Sequence, residues 1–303
     1  MSDPAAFARI IFLNSEEELR SGWRVLVFLL LFGFLLLLLG STLTTILWSF
    51  PGLRWLLHEP DPTEPVAEYA LLPLGIDSTV AFVAALTASF VCARLLERRS
   101  FGSTGYRLHE GWARDFALGL LGGTVTLALA VAITAVAGAL EFSLQTTGAG
   151  LLAARFFIVG AIIFVAAAYE EVLFRGFIFQ ALLHNLGPAP TLAVTSIAFA
   201  VLHLNNPSIT VFSALNIVLA GVWLGVAYLK TRSLWLATAL HFSWNFAMVF
   251  IFGLPVSGIS VFDRLSWLDG RPVSPAWLSG GDFGPEGGAA ATLAVLISTL
   301  VLW

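Results

Sequence analysis

Long apolar segments alternate with short polar or Pro- and Gly-rich connections along the whole chain. An apolar stretch of about 20 residues can cross the hydrocarbon core of a bilayer as an α-helix. By this criterion we place eight segments, the fifth and eighth of them short, near residues 24–49, 72–95, 116–139, 153–183, 190–204, 209–229, 233–252 and 288–303. The pattern predicts an all-α, polytopic transmembrane helical bundle of about eight spans. Because no connection could hold a soluble domain, residues 1–303 are expected to form a single integral membrane domain.

The composition agrees with a membrane protein. Hydrophobic residues make up 58% of the chain and charged residues 11%, whereas about a quarter of a soluble domain is charged. The formal net charge is only -4, and the basic residues form no dense block. We therefore expect the lipid bilayer as the environment of the chain and no nucleic acid among its partners.

The distribution of Lys and Arg predicts the orientation, because these residues are enriched in cytoplasmic loops. If the N-terminus is cytoplasmic, the inside connections hold ten basic residues and the outside connections hold three. The inside residues are Arg9, Arg20, Arg24, Arg94, Arg98, Arg99, Arg107, Arg114, Lys230 and Arg232, and the outside residues are Arg54, Arg264 and Arg271. Both termini are therefore expected in the cytoplasm, with the acidic stretch 59–68 and the loop 263–286 outside.

Glycines recur at helical spacing on two of the predicted spans. Gly119, Gly122 and Gly123 lie on the third span, and Gly221 and Gly225 lie on the sixth. Small residues let the backbones of membrane helices approach closely. We expect both sets to mark helix contacts.

Two adjacent carboxylates and an arginine lie inside the fourth apolar segment, in the sequence EEVLFRG at 170–176. Ionisable side chains at that depth are costly unless they are paired or reached by water. Glu171 and Arg175 are four residues apart and share a helix face, which predicts an ion pair. Glu170 points about 100° away. We interpret Glu170 as a carboxylate with a functional role. The alternative is that all three residues only hold helices together.

Two histidines occur on separate apolar segments. Each is four residues, or about one helical turn, from an aromatic or amide side chain. His203 follows Phe199, and His241 precedes Asn245. His241 and Asn245 share a helix face and could donate hydrogen bonds to a developing oxyanion. His203 could orient a water or accept its proton together with Glu170. Phe199 is expected to pack and to shape a substrate groove beside them.

The depths of these groups along their helices do not obviously agree. Glu170 lies near the middle of the long fourth segment, whereas His203 comes almost at the end of the short fifth one. A shared site therefore requires either that the fifth helix starts deep within the bundle or that the turn 205–207 is buried, which a polar cavity permits.

EEVLFRG, FAVLH and HFSWN resemble, in order and in spacing, the EExxxR, FxxxH and HxxxN motifs of the CPBP intramembrane proteases. That family is also called Abi or CAAX-protease-like and includes the type II CAAX prenyl endopeptidases. The resemblance covers residues 150–252, which would form the catalytic core. It implies that Glu170 activates water with His203 and that His241 and Asn245 stabilise the oxyanion. Glu171 and Arg175 match the other motif positions, and their predicted ion pair would shape the site.

The resemblance thus implies an intramembrane endopeptidase that cuts a peptide or protein substrate in or near the membrane. A CAAX-type substrate would be prenylated, and we expect the cell membrane of a bacterium as the location. No cofactor is favoured, but Glu170, His203 and His241 could instead be three zinc ligands with an open fourth position.

Two other classes of function stay open. A non-proteolytic immunity or scaffold protein would use the same polar residues structurally. A proton-coupled carrier is less favoured, because the chain lacks matching Gly- or Pro-broken helices in two halves.

Overall fold

The computed structural model describes residues 11–14, 17–57, 71–259, 261–262, 265–273 and 275–303. Within them the chain is built mainly of helices. In chain order these are α1 (Ser21–Ser49), α2 (Leu72–Leu96), α3 (Trp112–Val136), α4 (Ala149–Arg175), α5 (Phe177–Leu186), α6 (Pro188–Leu202), α7 (Val211–Thr231), α8 (Leu234–Phe246), α9 (Ala276–Ser279) and α10 (Ala289–Leu302). A π-helical turn, Ala247–Ile251, extends α8. The predicted all-α bundle is confirmed.

All eight predicted segments correspond to helices. Six helices in the described part of the chain are long and apolar enough to cross a membrane, with α4 and α5 counted as the single stretch Ala149–Leu186. The fifth and eighth segments are the shorter apolar helices α6 and α10. The number of crossings and the cytoplasmic position of the termini stay predictions. The acidic stretch 59–68 lies outside the described residues, as do Arg9 and Arg264.

One small β-ribbon was not predicted. Strand β1 (Leu140–Leu144) pairs antiparallel with β2 (Leu268–Pro272), with Phe142 opposite Gly270. The ribbon ties the connection after α3 to the long connection that follows α8. Its backbone hydrogen bonds therefore fix both connections at the same end of the bundle.

The connection between α8 and α10, residues 252–288, folds back onto the bundle, and we call its described part the strap. It contains β2, α9 and the short 3₁₀ turns Gly281–Phe283 and Pro285–Gly287. Leu265 and Phe283 are each only 1% exposed. The strap is thus packed into the fold through apolar side chains.

Helix α8 lies very close to α3 because two glycines of α3 face it. A β-carbon at Gly119 would lie 2.5 Å from Ala239 Cβ, and one at Gly123 would overlap Leu240 O and Ser243 Oγ. Ser243 Oγ also donates a hydrogen bond of 3.2 Å to Gly119 O. The glycine face expected on the third span is therefore a helix contact, and it sets the position of α8.

The start of α8 is fixed from the connection between α2 and α3. The hydroxyl groups of Tyr106 and Thr238 form a hydrogen bond of 2.7 Å, and burial raises the pKa of Tyr106. Trp235 Nε1 donates to Arg107 O at 3.1 Å. These bonds restrain α8 within the two turns that precede His241.

We expect Gly123→Val to destabilise the protein, because the added carbons must displace α8 from α3. Overpacking of this kind costs about 1–3 kcal/mol. Thermal unfolding in detergent measures the effect. The control is Gly40→Ala on α1. A β-carbon at this position would have no atom of the described residues within 4 Å. Equal melting temperatures for the two variants would contradict the close approach.

Candidate active site

The ion pair of the first motif forms at the end of α4. Arg175 Nη1 lies 3.0 Å from Glu171 Oε1, and the two side chains are 1% and 0% exposed. Arg175 Nη2 also donates a hydrogen bond of 3.0 Å to Gly221 O on α7. The guanidinium carbon lies 4.7 Å from the centre of the Phe199 ring. Arg175 therefore joins three helices and neutralises a buried carboxylate.

Glu171 has a second partner that the sequence did not predict. His241 Nδ1 lies 3.0 Å from the same oxygen, Glu171 Oε1. A carboxylate accepts hydrogen bonds, so the proton belongs on Nδ1. This bond fixes the imidazole with its other nitrogen, Nε2, 3.8 Å from Glu170 Oε2. Glu171 thus orients His241 as well as balancing Arg175.

His203 directly follows α6, and its side chain also faces Glu170. Its Nδ1 lies 2.8 Å from Phe199 O, and because a carbonyl only accepts, Nδ1 carries the proton. In the neutral ring, Nε2 therefore keeps its lone pair, and it lies 3.9 Å from Glu170 Oε2. The two side chains thus converge although the turn 205–207 is not buried, since its first and last residues are exposed and Asn206 is half-buried.

Glu170 and Asn245 both carry a buried oxygen that has no hydrogen-bond donor among the described residues, Glu170 Oε2 and Asn245 Oδ1. Most buried polar atoms in proteins are hydrogen-bonded, so each of these oxygens needs a partner that the described residues do not supply. Asn245 lies one turn after His241 on α8, as predicted. Water or substrate groups could satisfy both oxygens.

A cavity of about 490 Å³ brings these groups together. Its lining includes Glu170, His203, His241 and Asn245, and Phe199 forms part of the wall. The rest of the wall is largely apolar, with Ile163, Phe174, Ile217, Trp223, Leu224 and Val295 among its residues. Mostly apolar pockets of this size with a few convergent polar groups are typical of ligand and active sites.

Other polar residues of the cavity were not predicted as site residues. Asp77 comes from α2, Asn206 from the turn after α6, and Ser257 and Glu286 from the strap. Asp77 belongs to none of the motifs, and Glu286 lies in the loop that was expected outside. No motif spacing signals the strap residues, because only the fold brings them to the cavity.

Zinc binding was the alternative to a metal-free site. Among the described residues, no group of three or more His, Cys, Asp or Glu side chains has a geometry that could hold a metal ion. His203 and His241 each use Nδ1 in a hydrogen bond within the protein and leave Nε2 facing Glu170, so these bonds do not decide between water activation and a metal.

Comparison with known proteins agrees with the resemblance that the motifs indicate. Residues 151–247 match the family model described as type II CAAX prenyl endopeptidase Rce1-like. That range contains all of the residues Glu170, Glu171, Arg175, Phe199, His203, His241 and Asn245. A comparison with curated proteins finds no match. The chain therefore carries an Rce1-like domain at residues 151–247, which confirms its resemblance to the CPBP or CAAX protease family.

Proposed function

We propose that this multi-pass membrane protein is an intramembrane endopeptidase that hydrolyses a peptide bond with water activated by glutamate and histidine. One observation carries the proposal: Glu170 Oε2 lies 3.9 Å from His203 Nε2 and 3.8 Å from His241 Nε2 at the wall of the cavity. These distances are too long for direct hydrogen bonds. They suit a water or a reacting group that contacts two of the side chains at once.

In this proposal Glu170 is the general base. A water held between Glu170 and the free Nε2 of His203 attacks the carbonyl carbon of the scissile bond. As the new C–O bond forms, the water proton passes to the Glu170 carboxylate. That proton is then given to the leaving nitrogen when the C–N bond breaks, so the carboxylate is restored at the end of the cycle.

His241 and Asn245 are proposed to stabilise the oxyanion of the tetrahedral intermediate. The hydrogen bond from His241 Nδ1 to Glu171 leaves Nε2 facing the cavity. An imidazolium in this orientation donates from Nε2, and the Asn245 carboxamide supplies a second donor. Oriented donors in a site that excludes water stabilise developing charge strongly.

The substrate is proposed to be a peptide or protein segment that reaches the cavity from the membrane. The largely apolar wall suits an apolar group attached to the peptide, and the matching family is described by its prenyl endopeptidase activity. A farnesylated CAAX-type peptide is therefore the first substrate to test, with the same peptide lacking the lipid as its partner. The cell membrane of a bacterium is the location that we propose.

Glu170→Gln is expected to lower the rate of peptide cleavage by about 10²–10⁴-fold, because an amide cannot accept the water proton. The melting temperature should stay near that of the wild type, because the side chain keeps its size and makes no ion pair at hydrogen-bonding distance. Cleavage is measured by mass spectrometry after reconstitution into liposomes. Glu141→Gln on β1, where the side chain is exposed, is the matched control.

An active Glu170→Gln enzyme would show that another group is the base. The non-proteolytic alternative predicts instead that the wild type cleaves neither peptide. It also predicts that the cellular function survives the Glu170→Gln substitution.

The two roles of Glu171 can be separated with a double variant. Arg175→Met alone leaves the buried carboxylate of Glu171 with His241 as its remaining partner, which costs up to about 3–5 kcal/mol. Adding Glu171→Leu should recover most of that stability, because a buried ion pair can often be replaced by apolar side chains. Activity should remain about 10²-fold below wild type, because His241 has lost the acceptor that orients it and a small misplacement of a catalytic group is costly.

Thermal unfolding and the cleavage assay on the same preparations check both effects. Full activity in the stable double variant would contradict the orienting role of Glu171.

Chelation distinguishes the metal-free proposal from a zinc site made by Glu170, His203 and His241. We expect activity to be unchanged after treatment with 1,10-phenanthroline and the purified protein to hold far less than one zinc per chain. Elemental analysis and the cleavage assay provide the two measurements. Loss of activity on chelation and its recovery with added zinc would support the metal mechanism.

A further inference from the structure

Glu286 lies in the strap, outside the residues that match the family model, and yet its side chain lines the cavity. It sits in the 3₁₀ turn Pro285–Gly287, just before α10. An acidic side chain at such a place is costly unless several donors surround it. The donors around Glu286 come from different parts of the site.

The backbone at Glu286 is held by Asn216 of α7. Asn216 Nδ2 donates to Glu286 O at 2.8 Å and to Gly288 O at 3.1 Å. Asn216 Oδ1 accepts a hydrogen bond of 2.7 Å from Thr292 Oγ1 on α10. Both ends of the carboxamide are thus used, and this fixes the place where the strap joins α10.

The carboxylate of Glu286 links the strap to α8. Its Oε2 accepts from the backbone N–H of Ser257 at 2.8 Å and from Ser257 Oγ at 2.6 Å. Its Oε1 accepts from Trp244 Nε1 at 3.3 Å. Hydrogen bonds to an ionised acceptor are about twice as strong as those between neutral groups. Trp244 directly precedes Asn245 and lies one turn after His241.

Ser257 passes the link on to the turn that follows His203. Ser257 O accepts a hydrogen bond of 3.0 Å from Asn206 Nδ2, and Asn206 N–H donates to His203 O at 3.0 Å. The backbones also touch, because a β-carbon at Gly258 would overlap Pro207 O. The chain of contacts thus runs from the helix of His241, through Glu286 and Ser257, to the backbone of His203.

We propose that Glu286 is a positioning residue that holds the His203 turn and α8 at the spacing which lets both imidazoles face Glu170. The proposal rests on the proposed function for its effect on catalysis. Helices α6 and α8 carry the two histidines, and the bonds of Glu286, Ser257 and Asn206 connect them on the strap side of the cavity. We call this three-residue link the carboxylate latch.

Backbone hydrogen exchange tests the latch without any substrate. In Glu286→Ala, exchange should become at least about tenfold faster at the Ser257 amide, which loses a charged acceptor. It should also become faster in the peptide covering 203–207, while peptides from α3 should not change. Glu286→Gln keeps one carbonyl oxygen for Ser257, so its exchange rates should lie between those of the wild type and of Glu286→Ala. Asp282→Ala removes an exposed carboxylate from the same strap and is the matched control.

Cleavage of the farnesylated peptide tests the consequence for catalysis. Glu286→Ala should lower kcat about tenfold or more per folded molecule, with a smaller change in KM, because the displaced imidazoles affect the chemical step most. Glu286→Gln should recover part of kcat. Asp282→Ala should match the wild type in kcat, KM and exchange.

Each result decides between the latch and its alternatives. Unchanged exchange at 203–207 in Glu286→Ala would overturn the latch, and so would a lower melting temperature with an unchanged kcat, which indicates a purely structural role. If the wild type cleaves no peptide, the proposed function fails, while exchange at 203–207 still decides whether Glu286 positions the His203 turn.

Discussion

The buried carboxylate of Glu171 is the constraint on which the rest of the site depends. A carboxylate that is 0% exposed needs charged or strongly polar partners, and Glu171 takes two of them on one oxygen, Arg175 and His241. Arg175 comes from the same helix, but His241 comes from α8. Burial of this one charge therefore fixes the rotation of α8 and turns one imidazole nitrogen toward Glu170.

The close contact of α3 and α8 makes this bond geometrically possible. With glycine at positions 119 and 123 on α3, α8 can lie almost against the neighbouring backbone. Helix α6 is short, and His203 directly follows it, with its ring held by the carbonyl of Phe199. Glu170 thus lies between two imidazoles, each held by a hydrogen bond to a different part of the protein.

The strap gives the cavity a second source of polar residues, since Ser257 and Glu286 line it together with the motif residues. In a membrane protein a non-helical segment can lie within the fold only if its backbone groups find partners there. Several of those partners are side chains of the bundle, and Asn206 and Asn216 are two of them. The same bonds that stabilise the strap connect it to the helices of the site.

The sequence by itself determined the apolar segments, their helical nature and the Glu171–Arg175 pair. These follow from span length and from the 3.6-residue period, which are local properties of the chain. The motif spacing also indicated the family whose model residues 151–247 match. Only the tertiary structure decided that His241 bonds to Glu171 across 70 residues, that His203 reaches Glu170, and that Glu286 enters the cavity. Helix periodicity says which residues share a face but not how deep each helix lies, and depth and rotation are set by packing between helices.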